Sequence, residues 1–195
     1  MKALAALAVA LTMFIGTAVA QDKLTVLVAK PDLGEFYQKT VIVVAGDIGV
    51  EIGFIINRPA TLTGRKQTRL GELFPTDEPS KKLNAPVWLG GPVNTTTVWA
   101  LAKDTKGAKA TIPVGGTGYH MVMSVDAVDA LIAEGAATTS FYAGFIIWQP
   151  EEREAEMQKG FWFKTEMTMD ELQKLSKDEK GWEMLMKRLK SQTSI

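Results

Sequence analysis

The chain has 195 residues, with 22 basic and 22 acidic side chains and a single histidine, for a formal net charge of zero. A neutral protein has no electrostatic reason to seek nucleic acid or anionic lipid, so no nucleic-acid partner is expected. The absence of cysteine excludes disulfides, thiolate nucleophiles, thiolate metal sites and a lipid-modified N-terminal cysteine.

Residues 1–20 have the layout of a secretory leader: one charge at Lys2, an apolar stretch from Ala3 to Ile15, and the small-x-small pattern Ala18-Val19-Ala20 before polar Gln21-Asp22-Lys23. Cleavage there predicts an exported, periplasmic protein with no stable membrane insertion, residues 21–195 forming a single domain. Retention of the leader as a membrane anchor is the competing outcome. Loss of Lys2 leaves one more acidic than basic residue.

Leu24–Ala29 reads as a buried strand ended by Pro31. Thr40–Ala45 and Ile48–Ile56 are apolar and β-branched on either side of Gly46-Asp47, which predicts a hairpin. A helical turn is expected near Leu70–Phe74, and short strands at Val87–Leu89, Val98–Ala102, Ala110–Val114 and Tyr119–Met123. Gly115-Gly116-Thr117-Gly118 joins the last two as a hairpin loop rather than a phosphate cradle, since it lacks the P-loop lysine and its strand–loop–helix setting.

From Ser124 the period becomes helical. Val125, Val128, Leu131 and Ile132 share a face, Ser124 is a candidate cap and Gly135 a stop. Thr138–Trp148 is strand-like. A helix follows with Pro150 at its first position and Gly160 at its end, then a short strand Phe161–Phe163. Thr168 and Glu171 form a capping box for the next helix, to about Leu175. A last amphipathic helix carries Trp182, Leu185, Met186 and Leu189. Strands grouped early and helices late predict an α+β fold.

No catalytic set assembles from these elements. His120 has Ser124 four residues on but no third partner, and a lone histidine in an apolar stretch is a structural residue first. A catalytic zinc would need additional histidines or an unusual carboxylate set, so no metal or cofactor is expected. Gly90-Gly91-Pro92 permits a sharp bend or close approach of another backbone or ligand. Asn57-Arg58-Pro59 closes an apolar strand: Asn57 can bond its own turn, and the Arg58 fork suits a carboxylate, as an ion pair or in a substrate. Glu151, Glu152, Glu154 and Glu156 crowd one helix, either as a solvated face at the positive end of the dipole or as groups for acid–base work or a hard cation, the solvated face being the simpler account.

Three segments together resemble the YqgE/AlgH family. They are Gly53-Phe54-Ile55-Ile56-Asn57-Arg58-Pro59, Leu89-Gly90-Gly91-Pro92-Val93, and Gly144 to Trp162, where Gly144, Trp148, Pro150, Glu154, Glu156, Gly160 and Trp162 stand at the family's spacing. Phe36 and the opening strand also fit. The resemblance implies a mixed α+β domain with a large, barrel-like sheet and helices packed on it. It implies little chemistry, the family's usual label being transcriptional regulator. Two departures stand out. Ile147, Gln149 and Glu151 occupy positions typically glycine, with Glu152-Arg153 in place of Gln-Leu, and the export signal is unusual for the family.

The reading is an exported, non-enzymatic binding or interaction domain with an unidentified protein or small-molecule partner. Its candidate contact residues are Asn57, Arg58, Pro59, Gly90, Gly91, Pro92, Trp148, Glu154 and Glu156. The alternatives are a hydrolase-type enzyme using Arg58 and the Glu152/Glu154/Glu156 helix, and a regulator as the family label suggests, which export would separate from DNA.

Overall fold

Val26 to Ala29 and Val41 to Ala45 are apolar at every position, the pattern of strands covered on both faces. The computed structural model shows them so covered. It describes residues 22–46, 49–62, 66–74, 84–103, 105, 107–134, 138–176, 178 and 180–192. The leader, Asp47, Ile48 and the expected helix stop at Gly135 lie outside the described residues.

The strands are β1 (Lys23–Ala29), β2 (Val41–Ala45), β3 (Glu51–Ile55), β4 (Val87–Leu89), β5 (Val93–Ala102), β6 (Thr111–Pro113), β7 (His120–Val122), β8 (Ser140–Trp148) and β9 (Trp162–Thr168). The helices are α1 (Leu70–Leu73), α2 (Val125–Glu134), α3 (Glu152–Gln158), α4 (Met169–Ser176) and α5 (Gly181–Gln192). Among the described residues the strands form one nine-stranded sheet in the order β6-β7-β5-β8-β3-β2-β1-β9, with β4 added along β8. The β4–β8 pairing is parallel and the others are antiparallel. The sheet curls into a half-barrel, giving the mixed α+β, barrel-like architecture implied by the resemblance.

Alternation sorts the side chains. Leu24, Val26 and Val28 of β1, Val41 and Val43 of β2 and Phe54 of β3 face a cluster closed by Leu172 of α4 and Leu185, Met186 and Leu189 of α5. Their neighbours Leu27, Ala29, Ile42 and Ile55 face the other way, with Ile146, Trp148 and Trp162. At the far end of that second face, α2 covers Val98, Ala100, Val122 and Phe141 with Val128 and Leu131. Each such Val, Leu, Ile, Met or Phe side chain contributes about 1.5–3 kcal/mol on burial.

The parity of β8 changes at Gly144. Tyr142 and Phe145, three residues apart, point into the same cluster. Gly144 has φ 72°, a left-handed value that a side chain resists, and the facing strand shifts register between Val93 and Val98. This bulge lets the lower half of β8 pair with β4 and β5 and the upper half with β3.

The predicted hairpins β2–β3 and β6–β7 form. The capping box forms too: the Thr168 N–H donates to Glu171 Oε2 at 2.9 Å and the Glu171 N–H to Thr168 Oγ1 at 3.3 Å. Four details differ. β9 runs on to Thr168 because it pairs with the whole of β1. β5 begins already at Val93, its first residues paired beyond the bulge. Pro150 precedes the N-cap of α3, which is Glu151. Val125 is 51% exposed, since the buried stripe of α2 needs only Val128 and Leu131.

Candidate functional site

Gly53 begins the first motif because β3 must leave room for an indole. A side chain there would sit 2.8 Å from the Trp148 ring and 2.8 Å from Ile42. Trp148, at the end of β8, lies across that gap and is 2% exposed. Its indole N–H donates to Glu156 Oε2 at 2.9 Å, and the Trp162 indole N–H donates to the same oxygen at 2.8 Å. One carboxylate oxygen on α3 thus satisfies two buried donors on β8 and β9, a charge-assisted arrangement. Tyr37 meets the Trp162 ring edge-on at 5.5 Å. Burial, with Glu156 and then Glu152 nearby, raises the Tyr37 pKa and keeps its phenol protonated.

The other end of the first motif reaches the same segment, the connection from β1 to β2. Asn57 donates from Nδ2 to the Lys39 carbonyl and accepts from the Val41 N–H, both at 2.9 Å. The expectation that it bonds its own turn is corrected: it extends the ladder and holds Lys39 at φ 58°. Arg58 donates to the carbonyls of Phe36 and of Gln38, the latter at 2.9 Å, and its guanidinium lies 5.4 Å from the Phe36 ring centre. Among the described residues it pairs with no carboxylate; the planar fork grips a loop's backbone instead. Partial burial lowers its pKa.

The Asn-Arg-Pro and Gly-Gly-Pro turns meet in space. Leu89 N–H donates to Arg58 O at 2.9 Å, Ile55 N–H to Gly90 O at 2.8 Å, and Pro59 bridges Trp88. A Cβ on Gly91 would lie 2.2 Å from the Phe145 carbonyl carbon and oxygen, and one on Gly90 would lie 2.3 Å from Gly144 O. Of the two uses foreseen for the paired glycines, close approach is to another backbone. Pro92 is exposed and leads the chain into β5.

The acidic helix divides its labour. Glu152 Oε2 accepts the Gln149 N–H at 2.9 Å, and Glu156 holds the indoles. Glu154 is exposed and lines a cleft of about 290 Å³ with Gly49, Val50, Pro150, Glu151 and Arg153. Arg153 forms an ion pair with Glu51 on the cleft wall. Glu151 has a left-handed φ of 70°. Ile147 projects 37% exposed from β8.

Two contributors escaped the sequence reading. Tyr37 adjoins Phe36 but carries no motif of its own. The Glu51–Arg153 pair spans 102 positions, a separation that no local pattern reports. His120 lies on β7 with its Nδ1 buried and unpartnered, and Ser124 offers its carbonyl to Val128 at the start of α2. Among the described residues no three His, Asp or Glu side chains could hold a metal ion, and no helix is long and apolar enough to cross a membrane.

A curled half-barrel whose bulged central strand, glycine turns and indole-binding glutamate come from three linked motifs defines a recognisable class of domain. The chain belongs to the AlgH-like family (DUF179), whose model matches residues 26–194. It is 29% identical over 151 residues to a UPF0301 protein of Myxococcus xanthus, covering 74% of this chain and 78% of that one. It is also 29% identical over 174 residues to a UPF0301 protein of an Anaeromyxobacter species, covering 84% and 85%. In fold it resembles the solution structure of the AlgH protein from Pseudomonas aeruginosa, with a TM-score of 0.59, 22% identity, and 73% and 75% coverage. A crystal structure of a Corynebacterium diphtheriae protein is similar at a TM-score of 0.55, 19% identity, and 72% and 73% coverage.

Proposed function

We propose that the chain is an exported, non-enzymatic interaction domain that receives a basic segment of a protein partner in the cleft between the β2–β3 turn and the start of α3. The observation behind this reading is a division of roles among the motif residues. Asn57, Arg58, Gly90, Gly91, Trp148 and Glu156 are taken up in holding backbone and indoles. Glu154, by contrast, faces an open cleft. There Glu51 is matched by Arg153, while exposed Glu151 and Glu154 add negative charge. Such a lining attracts cationic groups. The hydrolase alternative would ask Arg58 and Glu156 for chemistry while they carry the 36–39 segment and two indoles.

The leader-like N-terminus supports the export half of the proposal. Fractionation of the native host with intact-mass measurement tests it: a periplasmic species beginning at Gln21 is expected, and a full-length cytoplasmic one refutes export. For the cleft, the protein is used to capture partners from periplasmic extract beside a Glu151→Lys/Glu154→Lys variant. A partner held by the parent, released by moderate salt and lost from the variant is expected. Repeated recovery of nothing, or equal capture by both proteins, refutes the reading.

A further inference from the structure

A second cavity, of about 260 Å³, lies between β4, the start of β8 and α4, away from the cleft just described. Its lining carries no charged side chain among the described residues. Trp88 comes from β4, Thr138, Thr139 and Ser140 lead into β8, and Gln173 and Ser176 come from α4. Tyr142 also lines it, its ring stacked on Phe54 at 4.6 Å. The Thr139 hydroxyl is buried and has no hydrogen-bond partner, which folded proteins seldom tolerate without a use. Ser176 donates to the Gln173 carbonyl at 3.0 Å, which leaves its oxygen free to accept. The Gln173 amide reaches the Tyr119 hydroxyl only at 3.4 Å, the long limit of a hydrogen bond.

We infer that this cavity binds an uncharged, hydroxyl-rich molecule the size of a single sugar ring. The Thr138 and Thr139 hydroxyls and the Gln173 amide carry both donors and acceptors, and the Ser176 oxygen adds an acceptor, the mixture that sugar hydroxyls require. Among the described residues the lining offers no counter-charge, which disfavours phosphates, carboxylates and amines, whose burial without one is costly. The Trp88 indole supplies an apolar wall for the C–H face of a ring. The cavity is smaller than the roughly 300–1,000 Å³ typical of sites for larger ligands, so it suits one ring rather than a chain. A free sugar and the terminal ring of a glycan share this chemistry.

The test is titration of the protein with glucose, N-acetylglucosamine and methyl β-glucoside, followed by NMR at the Trp88 indole N–H and the Gln173 side-chain amide. Saturable shifts with at least one of them are expected. Retention with the methyl glucoside assigns the site to a glycan terminus, and loss of binding with it assigns the free sugar. Thr139→Val keeps the side chain's shape and removes the orphan hydroxyl. It should weaken binding by about fivefold or more while leaving the melting temperature equal or raised. Absence of shifts with all three at about 50 mM overturns the assignment, that concentration covering millimolar affinities. So does unchanged binding by Thr139→Val, or a fall in its melting temperature, which would give the hydroxyl to the fold.

Discussion

Removing the Glu156 carboxylate should cost the protein far more than an exposed-helix glutamate normally would. Trp148 and Trp162 are 2% and 4% exposed, and both indole N–H groups end on Glu156 Oε2. Glu156→Ala strands two buried donors, each worth about 1–3 kcal/mol when left unpaired. Partial solvent entry into the space vacated reduces their sum, so a loss of about 3 kcal/mol is expected. For a domain of this size that is a fall of about 6–12 °C in Tm. Glu156→Gln is the informative control. Because a single oxygen accepts both bonds, an amide oxygen can take its place, and only the charge assistance is lost, about 1 kcal/mol. Urea unfolding followed by tryptophan fluorescence and by circular dichroism reads both variants. Glu156→Ala within about 0.5 kcal/mol of the parent would refute the argument, that being the scatter of ordinary surface substitutions. So would a Gln variant as unstable as the Ala variant, because it would place the effect in charge rather than in the two hydrogen bonds.

Three further outcomes follow from the same geometry. Gly91→Ala drives a Cβ to 2.2 Å from the Phe145 backbone, which cannot yield as a side chain can, and should cost more than about 4 kcal/mol, read as loss of soluble folded protein; Gly116→Ala, with nothing within 4 Å, should stay within about 0.5 kcal/mol. Glu151→Gly relieves a left-handed backbone at φ 70° and should raise stability by about 0.5–1 kcal/mol after the entropy of glycine is charged against it, measured as an increased urea midpoint at unchanged slope. The Thr168 backbone N–H, with its hydroxyl and Arg188 adding to it, holds the Glu171 carboxyl below its usual range. A depressed carboxylate stabilises the fold above its unfolded pKa, and that contribution is lost as pH falls through the folded value. Glu171 is about half exposed, so solvent screening keeps the contribution to about 0.5 kcal/mol. Glu171→Ala should therefore destabilise at pH 7 by a deficit that shrinks as the pH falls through the folded value, and a deficit independent of pH would refute the linkage.

Elements that announced themselves in the sequence are those whose signal is local. The apolar runs of β1 and β2, the helical stripe Val128–Leu131, and the Thr168/Glu171 box each lie within a dozen residues and formed as expected. What local pattern missed was set by distant partners. β9 continues past Phe163 because seven residues of β1 run alongside it, although Lys164 and Glu166 carry no strand-like hydrophobicity. Arg58 reads as half of an ion pair because its charge is visible in the sequence, whereas the carbonyls of Phe36 and Gln38 that receive it have no sequence signature.

The same reasoning bears on how family motifs point to function. Gly53, Asn57, Arg58, Gly90, Gly91, Gly144, Trp148, Glu156 and Trp162 are legible because they are unusual residue types at fixed spacing. In the fold that spacing serves three joints: an indole pair on one carboxylate, a loop clamped by Asn57 and Arg58, and a backbone crossing at Gly91 and Gly144. Each joint would demand the same residues whatever the domain bound. The motifs therefore argue for a shared scaffold, and ligand chemistry is better sought among residues the joints leave over. Those are Glu151 and Glu154 at the cleft and the Trp88–Thr139–Gln173 cavity, none of which takes part in the three joints.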